Sequence, residues 1–198
     1  MEGVEGVDLK ELVQKNRTYR RFYEEVGIPD SDLRDMIDLA RLSASGSNKQ
    51  ALKYFLVTSP EGKSRVFDNI HWAAYLKDWA GPGEGERPSS YIIMVLDRSI
   101  AGQCYWDHGI AAQSILLGAT EKGYGGCMFA SFNASRLSAA LEIPAEYQML
   151  MVIALGKPKE VVVIEAVKDA ASTEYYRDEA GIHHVPKRSL EELIVKTI

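Results

Sequence analysis

Apolar residues recur along this chain at two periods, and their alternation predicts helices separated by strands. The clearest helical stretch begins after Pro29-Asp30-Ser31-Asp32, where Leu33, Met36, Ile37 and Ala40 follow the i, i+3, i+4, i+7 spacing of an amphipathic helix. That helix should pack its apolar side on the core.

Two longer stretches carry helical patterns of other kinds. The first follows Ser59-Pro60, where proline suits the first helical position, and its apolar spacing extends to Trp79. The second runs from Asp107 to Glu121 and is apolar almost all round, which is typical of a helix buried in the core or in a dimer interface. The second helix therefore needs a large burial surface.

Capping residues mark three shorter helices. Asp8 and Glu11 form a capping box for a first helix, which should continue into the basic residues that follow it. Asn133 is a suitable N-cap for a short helix, and Ser189 with Glu192 forms a capping box near the carboxyl end. These signals predict helices at both ends of the chain.

Five runs of apolar residues predict strands. One of them, Tyr91 to Leu96, is continuously apolar, as expected of a strand covered on both faces. The others are Tyr54 to Thr58, Tyr124 to Ala130, Met149 to Leu155 and Val161 to Val167, the last being either a strand or an extended arm. Between the predicted helix and strand, Ser43 to Gln50 is polar and indicates a loop.

Length and composition favour a single globular domain over residues 1–198. Of the 198 residues, 46% are hydrophobic and 26% are charged, and the chain contains no repeats or linkers. Residues 1–6 lack the basic and apolar regions of a signal peptide, and no segment is apolar over the length of a membrane span. We therefore expect a soluble, cytoplasmic protein with no membrane partner.

Charge and motif content argue against several classes of function. The net charge of −5 disfavours non-specific nucleic-acid binding, which depends on widespread phosphate neutralisation. Cys104 and Cys127 lack metal-site and disulfide-framework spacing, so both are expected to be reduced thiols. His183 and His184 would point opposite ways in a strand, which favours loop histidines over a metal pair. No Gly-x-Ser-x-Gly, Walker A or Gly-x-Gly-x-x-Gly motif indicates a hydrolase or a phosphate loop.

Four cations and a hydroxyl are concentrated in one segment of this acidic protein, Lys15-Asn16-Arg17-Thr18-Tyr19-Arg20-Arg21-Phe22. Guanidinium groups present a planar fork of donors and Thr18 adds a hydroxyl, so the segment suits a phosphate group. The alternative is a solvated basic strip at a helix end. When this segment is considered alone, the solvated strip is the favoured interpretation. On a helical turn, Arg17 and Arg20 would share one side, whereas Arg21 would point elsewhere.

Three further patches each allow a functional and a structural interpretation. The loop Ser45-Gly46-Ser47-Asn48-Lys49-Gln50 offers hydroxyls and amides for ribityl hydroxyls or a heterocycle edge, or it is a glycine turn after a helix. The glycines of Gly123-Tyr124-Gly125-Gly126-Cys127 permit a close backbone approach, or they end a helix before a core strand. Lys187-Arg188 precedes a capped helix and is either a second anion site or a solvated basic pair.

Taken in order, these segments resemble the FMN-dependent nitroreductase family. Asn16 to Phe22 and Ser43 to Gln50 are similar to its Arg-Arg-Ser-x-Arg motif and its Pro-Ser-x-x-Asn-x-Gln-Pro loop, although Ala44 and Ala51 replace the usual prolines. Four later segments resemble its central helix, the strand beyond, the end of its last core strand and its carboxy-terminal basic motif: Asp107 to Gln113, Gly123 to Cys127, Ala154 to Pro158 and Pro186 to Leu193. The resemblance spans nearly the whole chain, and residues 65–90 match poorly.

The resemblance implies an α+β fold, an α/β/α sandwich with a mostly antiparallel central sheet, and an intertwined homodimer with FMN in each interface cleft. The FMN phosphate and ribityl chain would be held by Asn16, Arg17, Thr18, Arg20, Lys187 and Arg188. Ser45, Ser47 and Asn48 of the partner subunit would approach the same flavin. Met128, Ala130 and Ser131 would lie beside the isoalloxazine ring, with a backbone N–H near Ser131 addressing N5.

The resemblance also implies an FMN-dependent NAD(P)H oxidoreductase that reduces nitroaromatic, quinone or similar electron-poor substrates by ping-pong hydride transfer through flavin N5. NADH or NADPH would be the reductant, and neither a catalytic side chain nor a metal is expected because the cofactor carries the chemistry. Alternatives within the fold are a reductive dehalogenase and a flavin-modifying enzyme. Alternatives of another class are a flavin-binding module without turnover and an acidic protein whose basic segment docks a macromolecule.

Overall fold

The computed structural model describes residues 8–168 and 172–198, and its centre is an antiparallel β-sheet. The strands are β1 (Phe22–Tyr23), β2 (Leu52–Val57), β3 (Ser90–Asp97), β4 (Gly125–Phe129) and β5 (Tyr147–Pro158). They follow the order β1-β5-β3-β2, and β4 also pairs with β5. The pattern of apolar runs predicted β2 to β5, whereas β1 is too short to give a pattern. The expectation that the chain has no signal peptide concerns residues 1–6, and residues 1–7 lie outside the described range.

Six helices are formed by the described residues. They are α1 (Leu9–Lys15), α2 (Asp30–Leu42), α3 (Pro60–Phe67), α4 (Asp107–Glu121), α5 (Ala134–Ala140) and α6 (Leu190–Leu193). The N-caps predicted at Asp8, Asn133 and Ser189 are confirmed, and the full capping box forms at Ser189. None of these helices has the length and apolar content needed to cross a bilayer.

Helices cover both faces of the sheet, because every residue of β3 is buried and both of its faces need apolar cover. On one face, α2 and α4 pack Met36 and Ile115 against Ile92 and Ile153. On the other face, α3 and α5 pack their apolar residues, Val66 and Leu137, with Ile93 and Val152. The expected α+β fold with three layers and an antiparallel centre is confirmed.

The prediction that helix α3 extends to Trp79 is wrong, because α3 ends at Phe67. The chain turns at Asp68, and Ile70 forms an isolated antiparallel bridge with Phe132. The backbone N–H of His71 then donates to the carbonyl of Ser131 at 3.0 Å. Pairing with the segment after β4 replaces helical hydrogen bonds here, so the apolar residues of 68–80 pack singly rather than as a stripe.

A second, three-stranded sheet follows the core. It consists of β6 (Val162–Ala166), β8 (His183–Lys187) and β7 (Tyr176–Arg177), in that order, and is called the C-terminal sheet below. Strand β6 runs parallel to β8, and β7 runs antiparallel to it. His183 and His184 therefore lie in a strand and not in a loop, and they point to opposite sides, since His183 is buried and His184 is partly exposed.

Candidate functional site

The basic segment is extended, and the prediction that α1 continues into it is wrong. Helix α1 ends at Lys15, with Asn16 as its C-cap. Thr18 then forms a parallel bridge with Gly126 of β4, and the N–H of Tyr19 donates to the Gly126 carbonyl at 3.0 Å. Because neighbouring side chains of an extended segment point to opposite sides, Arg17 and Arg20 do not share a helical turn.

The glycines of β4 make this contact possible. A Cβ on Gly125 would lie 2.3 Å from the Tyr19 ring, and one on Gly126 would lie 2.5 Å from the Ala154 carbonyl oxygen. Gly123 follows the end of α4 with a positive φ of 78°. Of the two interpretations of this glycine, the structure therefore supports the one in which it ends the helix. The glycines thus serve packing, and that packing holds the basic segment against the end of β4.

Arg17 and Thr18 provide the free donors of the segment. One terminal nitrogen of Arg17 donates to the Val13 carbonyl at 2.8 Å, whereas its Nε is buried and has no partner among the described residues. Thr18 is exposed. A buried, unpaired N–H of a cation is costly unless an acceptor fills the place, so this donor set fits an anionic group such as a phosphate.

Arg20 has a different environment from that of Arg17, because it is 7% exposed. One of its terminal nitrogens lies 3.1 Å from Nε2 of His183, and its guanidinium carbon lies 4.6 Å from the centre of the Tyr175 ring. Its backbone N–H donates to the carboxylate of Glu160. The C-terminal sheet and the segment that leads into it therefore enclose this side chain.

Further charged and titratable groups line the surroundings of Arg20. Arg177 pairs with the nearly inaccessible Glu160 carboxylate at 2.9 Å and stacks on Trp79. Burial, helped by the charges of Arg20 and Arg177, lowers the pKa of His183 to about 4. Burial also raises the pKa of the Cys127 thiol to about 12, although Arg20 opposes that shift. At neutral pH both groups are uncharged.

Arg21 points away from this environment. Its guanidinium binds the Glu86 carboxylate with two hydrogen bonds, of 2.6 and 2.7 Å, and Lys159 approaches the same carboxylate at 3.2 Å. A bidentate pair of this kind fixes the loop before β3 to the basic segment. Arg20 and Arg21 therefore differ in direction and in partners.

The end of β4 brings the predicted flavin-ring residues next to the basic segment. Met128 is 43% exposed, and Ala130 and Ser131 are exposed just beyond the strand. His71 binds the Ser131 carbonyl, and Trp72 packs edge-on against Phe129 with ring centroids 4.7 Å apart. His71 and Trp72 were not predicted from the sequence, because the apolar spacing around them indicated a helix.

The loop after α2 lies against the start of α4. Ser45 donates to Asp107 at 2.7 Å, and Asp107 also accepts the Gly46 N–H at 3.0 Å, so the Ser45 hydroxyl has a structural partner. Ser47 and Asn48 are exposed, both with a positive φ of 51°. A cavity of about 240 Å³ lies between this loop, α2, β2 and Asp107.

The described residues of one chain do not bring all the predicted site residues together. None of their hydrogen bonds or ion pairs joins the loop containing Ser45 to the segment containing Arg17. Strand β8 starts at His183 beside Arg20, and Lys187 lies four residues further, about 13 Å along the strand. Arg188 follows, with a 3.4 Å contact to Glu192 in α6.

Comparison with known proteins adds to this geometry. A model of the nitroreductase family matches residues 13–86 and 95–157, which include the basic segment, the loop after α2 and β4. This chain belongs to the nitroreductase family. Residues 158–198, which form the C-terminal sheet and α6, lie outside the matched ranges.

Solved structures of the family share the fold at low identity. A nitroreductase family protein from Clostridium novyi NT is 24% identical, with 92% of this chain and 97% of that chain covered and a TM-score of 0.62. An FMN-dependent nitroreductase from Clostridium difficile R20291 is 19% identical, with coverages of 81% and 92% and a TM-score of 0.62. CLA-ER, an enone reductase of gut-bacterial fatty acid saturation, is 18% identical, with coverages of 84% and 96% and a TM-score of 0.66.

Proposed function

We propose that this nitroreductase family member is an FMN-dependent NAD(P)H oxidoreductase that reduces nitroaromatic, quinone or similar electron-poor substrates. The buried, unpaired Nε of Arg17 carries the proposal, because it lies beside the exposed Thr18 on the edge of β4. Family membership and the FMN dependence of the Clostridium difficile neighbour support it. The enone reductase among the neighbours supports including α,β-unsaturated ketones among the proposed oxidants.

The residues of one subunit would bind the phosphate and ribityl end of the cofactor. Arg17 offers its unpaired Nε and Thr18 its hydroxyl to an anionic group. Asn16, Arg20, Lys187 and Arg188 are proposed to complete this end. Lys187 lies about 13 Å from His183 along β8, so its long side chain would have to extend back toward Arg17.

The second subunit of a proposed homodimer would complete the site. Ser47 and Asn48 are exposed and have left-handed backbone conformations, and among the described residues no hydrogen bond or ion pair joins them to the basic segment of their own chain. We propose that they, with Ser45, approach the flavin bound by the other subunit. Met128, Ala130 and Ser131 would then lie along the ring, and Trp72 and Phe129 would keep water from its inner side.

Bound FMN would supply hydride chemistry at N5, taking a hydride from NADH or NADPH and passing it to the oxidant in a ping-pong sequence. The protein's own residues would position the cofactor and exclude water from it. The pKa values of His183 and Cys127 lie far from neutral pH and Glu160 is paired with Arg177, so none of them is suited to act as a general acid or base. The proposal therefore assigns no catalytic side chain.

Flavin binding is tested first. Purified protein should be yellow, and FMN added to flavin-free protein should lose fluorescence and raise the melting temperature. Arg17→Met should weaken FMN binding by about tenfold or more, the loss expected for a charge-assisted contact to phosphate. Colourless protein that FMN neither stabilises nor quenches would contradict the proposal.

Turnover is tested second. NADH or NADPH under argon should bleach the oxidised flavin spectrum, and a panel of nitroaromatic, quinone and enone oxidants should restore it. Yellow protein whose spectrum neither nicotinamide changes would instead be a flavin-binding module without turnover.

A further inference from the structure

Arg20 is a buried cation whose side chain pairs with no carboxylate of residues 8–168 and 172–198. The nearest carboxylate, Glu160, accepts the backbone N–H of Arg20 and the guanidinium of Arg177. Among the described residues, the side-chain partners of Arg20 are the ring of Tyr175, Nε2 of His183 and the neutral thiol of Cys127, and the first two lie outside the ranges matched by the family. The guanidinium of Arg20 is therefore held by uncharged groups and forms no ion pair among these residues.

The contact with His183 fixes the state of that histidine. A guanidinium has only donors, so Nε2 of His183 must accept and its proton must lie on Nδ1. Nδ1 is buried and has no partner among the described residues, which is the cost of this tautomer. A protonated ring would place two cations 3.1 Å apart, and the lowered pKa of His183 agrees with a neutral ring.

Tyr175 fixes the plane of the same guanidinium. Its ring covers one face of the group at 4.6 Å, and Tyr175 is itself held by the rings of His183 at 5.2 Å and Tyr75 at 5.0 Å. With one face covered and one N–H bound to His183, the rotation of the guanidinium is restricted. Its remaining in-plane donors have a defined direction.

We propose that His183 is a positioning residue: as a neutral acceptor it orients Arg20 toward the bound cofactor while leaving the full positive charge of Arg20 to act on it. The inference rests on the proposed function, because it assigns that charge to the flavin. The reduced cofactor carries more negative charge than the oxidised form, so an uncompensated cation favours reduction. A carboxylate at position 183 would hold Arg20 equally well but would cancel this effect.

The first experiment needs no flavin. Nitrogen NMR of the imidazole groups in flavin-free, full-length protein should show His183 as the Nδ1–H tautomer. It should stay neutral well below its usual pKa of 6.5. A His183 protonated on Nε2, or one that titrates near 6.5, would overturn the Arg20 contact without reference to the cofactor.

The second experiment compares His183→Gln, His183→Glu and the control His184→Gln, which lies on the opposite side of β8. Glutamine offers a neutral carbonyl acceptor. The affinities of His183→Gln for oxidised and reduced FMN should therefore stay within about twofold of the wild-type values. Glutamate should weaken binding of reduced relative to oxidised FMN by about tenfold, which corresponds to a midpoint potential about 30 mV lower for a two-electron couple. His184→Gln should leave both affinities unchanged.

The outcomes separate the two proposals. Glutamate behaving like glutamine, or both weakening the two redox forms equally, would show a merely structural His183 and overturn the inference. If the wild type binds no FMN, the proposed function fails. In that case the role in tuning a flavin fails with it, while the tautomer measurement still decides whether His183 holds Arg20.

Discussion

Two adjacent arginines show how neighbouring residues of one basic segment acquire different roles. Arg20 is enclosed by His183 and Tyr175, whereas Arg21 forms a bidentate pair with Glu86 on the other side. We expect Arg20→Ala to weaken FMN retention much more than Arg21→Ala, whose main effect should be a loss of stability of about 1 kcal/mol. Equal losses of FMN in equilibrium dialysis would contradict this assignment.

Because Arg20 is buried, its replacement by alanine also affects folding, and a control is needed. Arg20→Lys keeps the charge but cannot form the same planar contacts with Tyr175 and His183. If near-ultraviolet circular dichroism shows the same tertiary structure for both variants, Arg20→Lys should retain more FMN than Arg20→Ala. If Arg20→Ala has lost that tertiary signal, Arg20→Lys takes its place in the comparison with Arg21→Ala.

Gly126 shows a packing role at the same scale. A Cβ there would lie 2.5 Å from the Ala154 carbonyl oxygen and 2.7 Å from Leu116 Cδ2, and neither backbone nor core can yield easily. Gly126→Ala should therefore lower the free energy of unfolding by about 2 kcal/mol or more in urea titration. The matched control, Gly102→Ala, has no atom within 4 Å of the added carbon and should be nearly neutral.

At the scale of the single residue, the sequence identified one side of the site better than the other. Arg17, Thr18 and Arg20 stood out because cations cluster in an acidic chain. His183 gave no such signal, because it lies 163 residues from Arg20 and only the tertiary fold brings the two together. Its burial and tautomer follow from that contact and not from its neighbours in the sequence.

At the scale of the element, local signals worked where a single period or cap dominates. The bounds of α4 and the buried strand β3 follow from apolar residues alone. The same reasoning was wrong for residues 68–79, because Ile70 and His71 bind the segment after β4 and the remaining apolar residues pack as separate aromatic contacts. Apolar spacing indicates burial, but it does not identify the partner of a backbone N–H.

The C-terminal sheet contains an ionic clasp. His184 lies 3.1 Å from Glu165 through Nδ1 and 3.2 Å from Asp178 through Nε2, and only a protonated ring can donate to both. The hydrogen bond to Asp178, followed by that to Glu165, raises the pKa of His184 above 6.5. Because the folded pKa is raised, this stabilisation is fully present below pH 6.5 and is lost as the pH rises through the folded pKa.

Melting temperatures of wild type and His184→Gln against pH test the clasp. The wild type should exceed the variant below pH 6.5, and the difference should shrink as the pH rises through the raised folded pKa of His184. A constant difference between wild type and His184→Gln would contradict a protonated clasp.

At the scale of the whole molecule, the sequence could indicate the parts of the site but not their assembly. The basic segment and the loop of Ser47 and Asn48 were recognised through family motifs, since neither alone favours a flavin over a solvated surface. None of the hydrogen bonds or ion pairs of the described residues joins the two. Ile110 of helix α4 is 41% exposed in the single chain, so burial of this part of the helix in a dimer interface stays a prediction.

Assembly is therefore the prediction on which the proposed site depends. Leu42, at the end of α2, is 65% exposed and directly precedes the loop proposed to reach the partner's flavin. Wild type should sediment as a dimer at micromolar concentration, and Leu42→Asp should shift it toward monomer with loss of FMN. Val26→Asp, at an exposed residue before the other end of the 13-residue α2, which is about 20 Å long, should do neither. A stable wild-type monomer that still binds FMN would contradict the proposed contribution of Ser47 and Asn48 from a partner subunit.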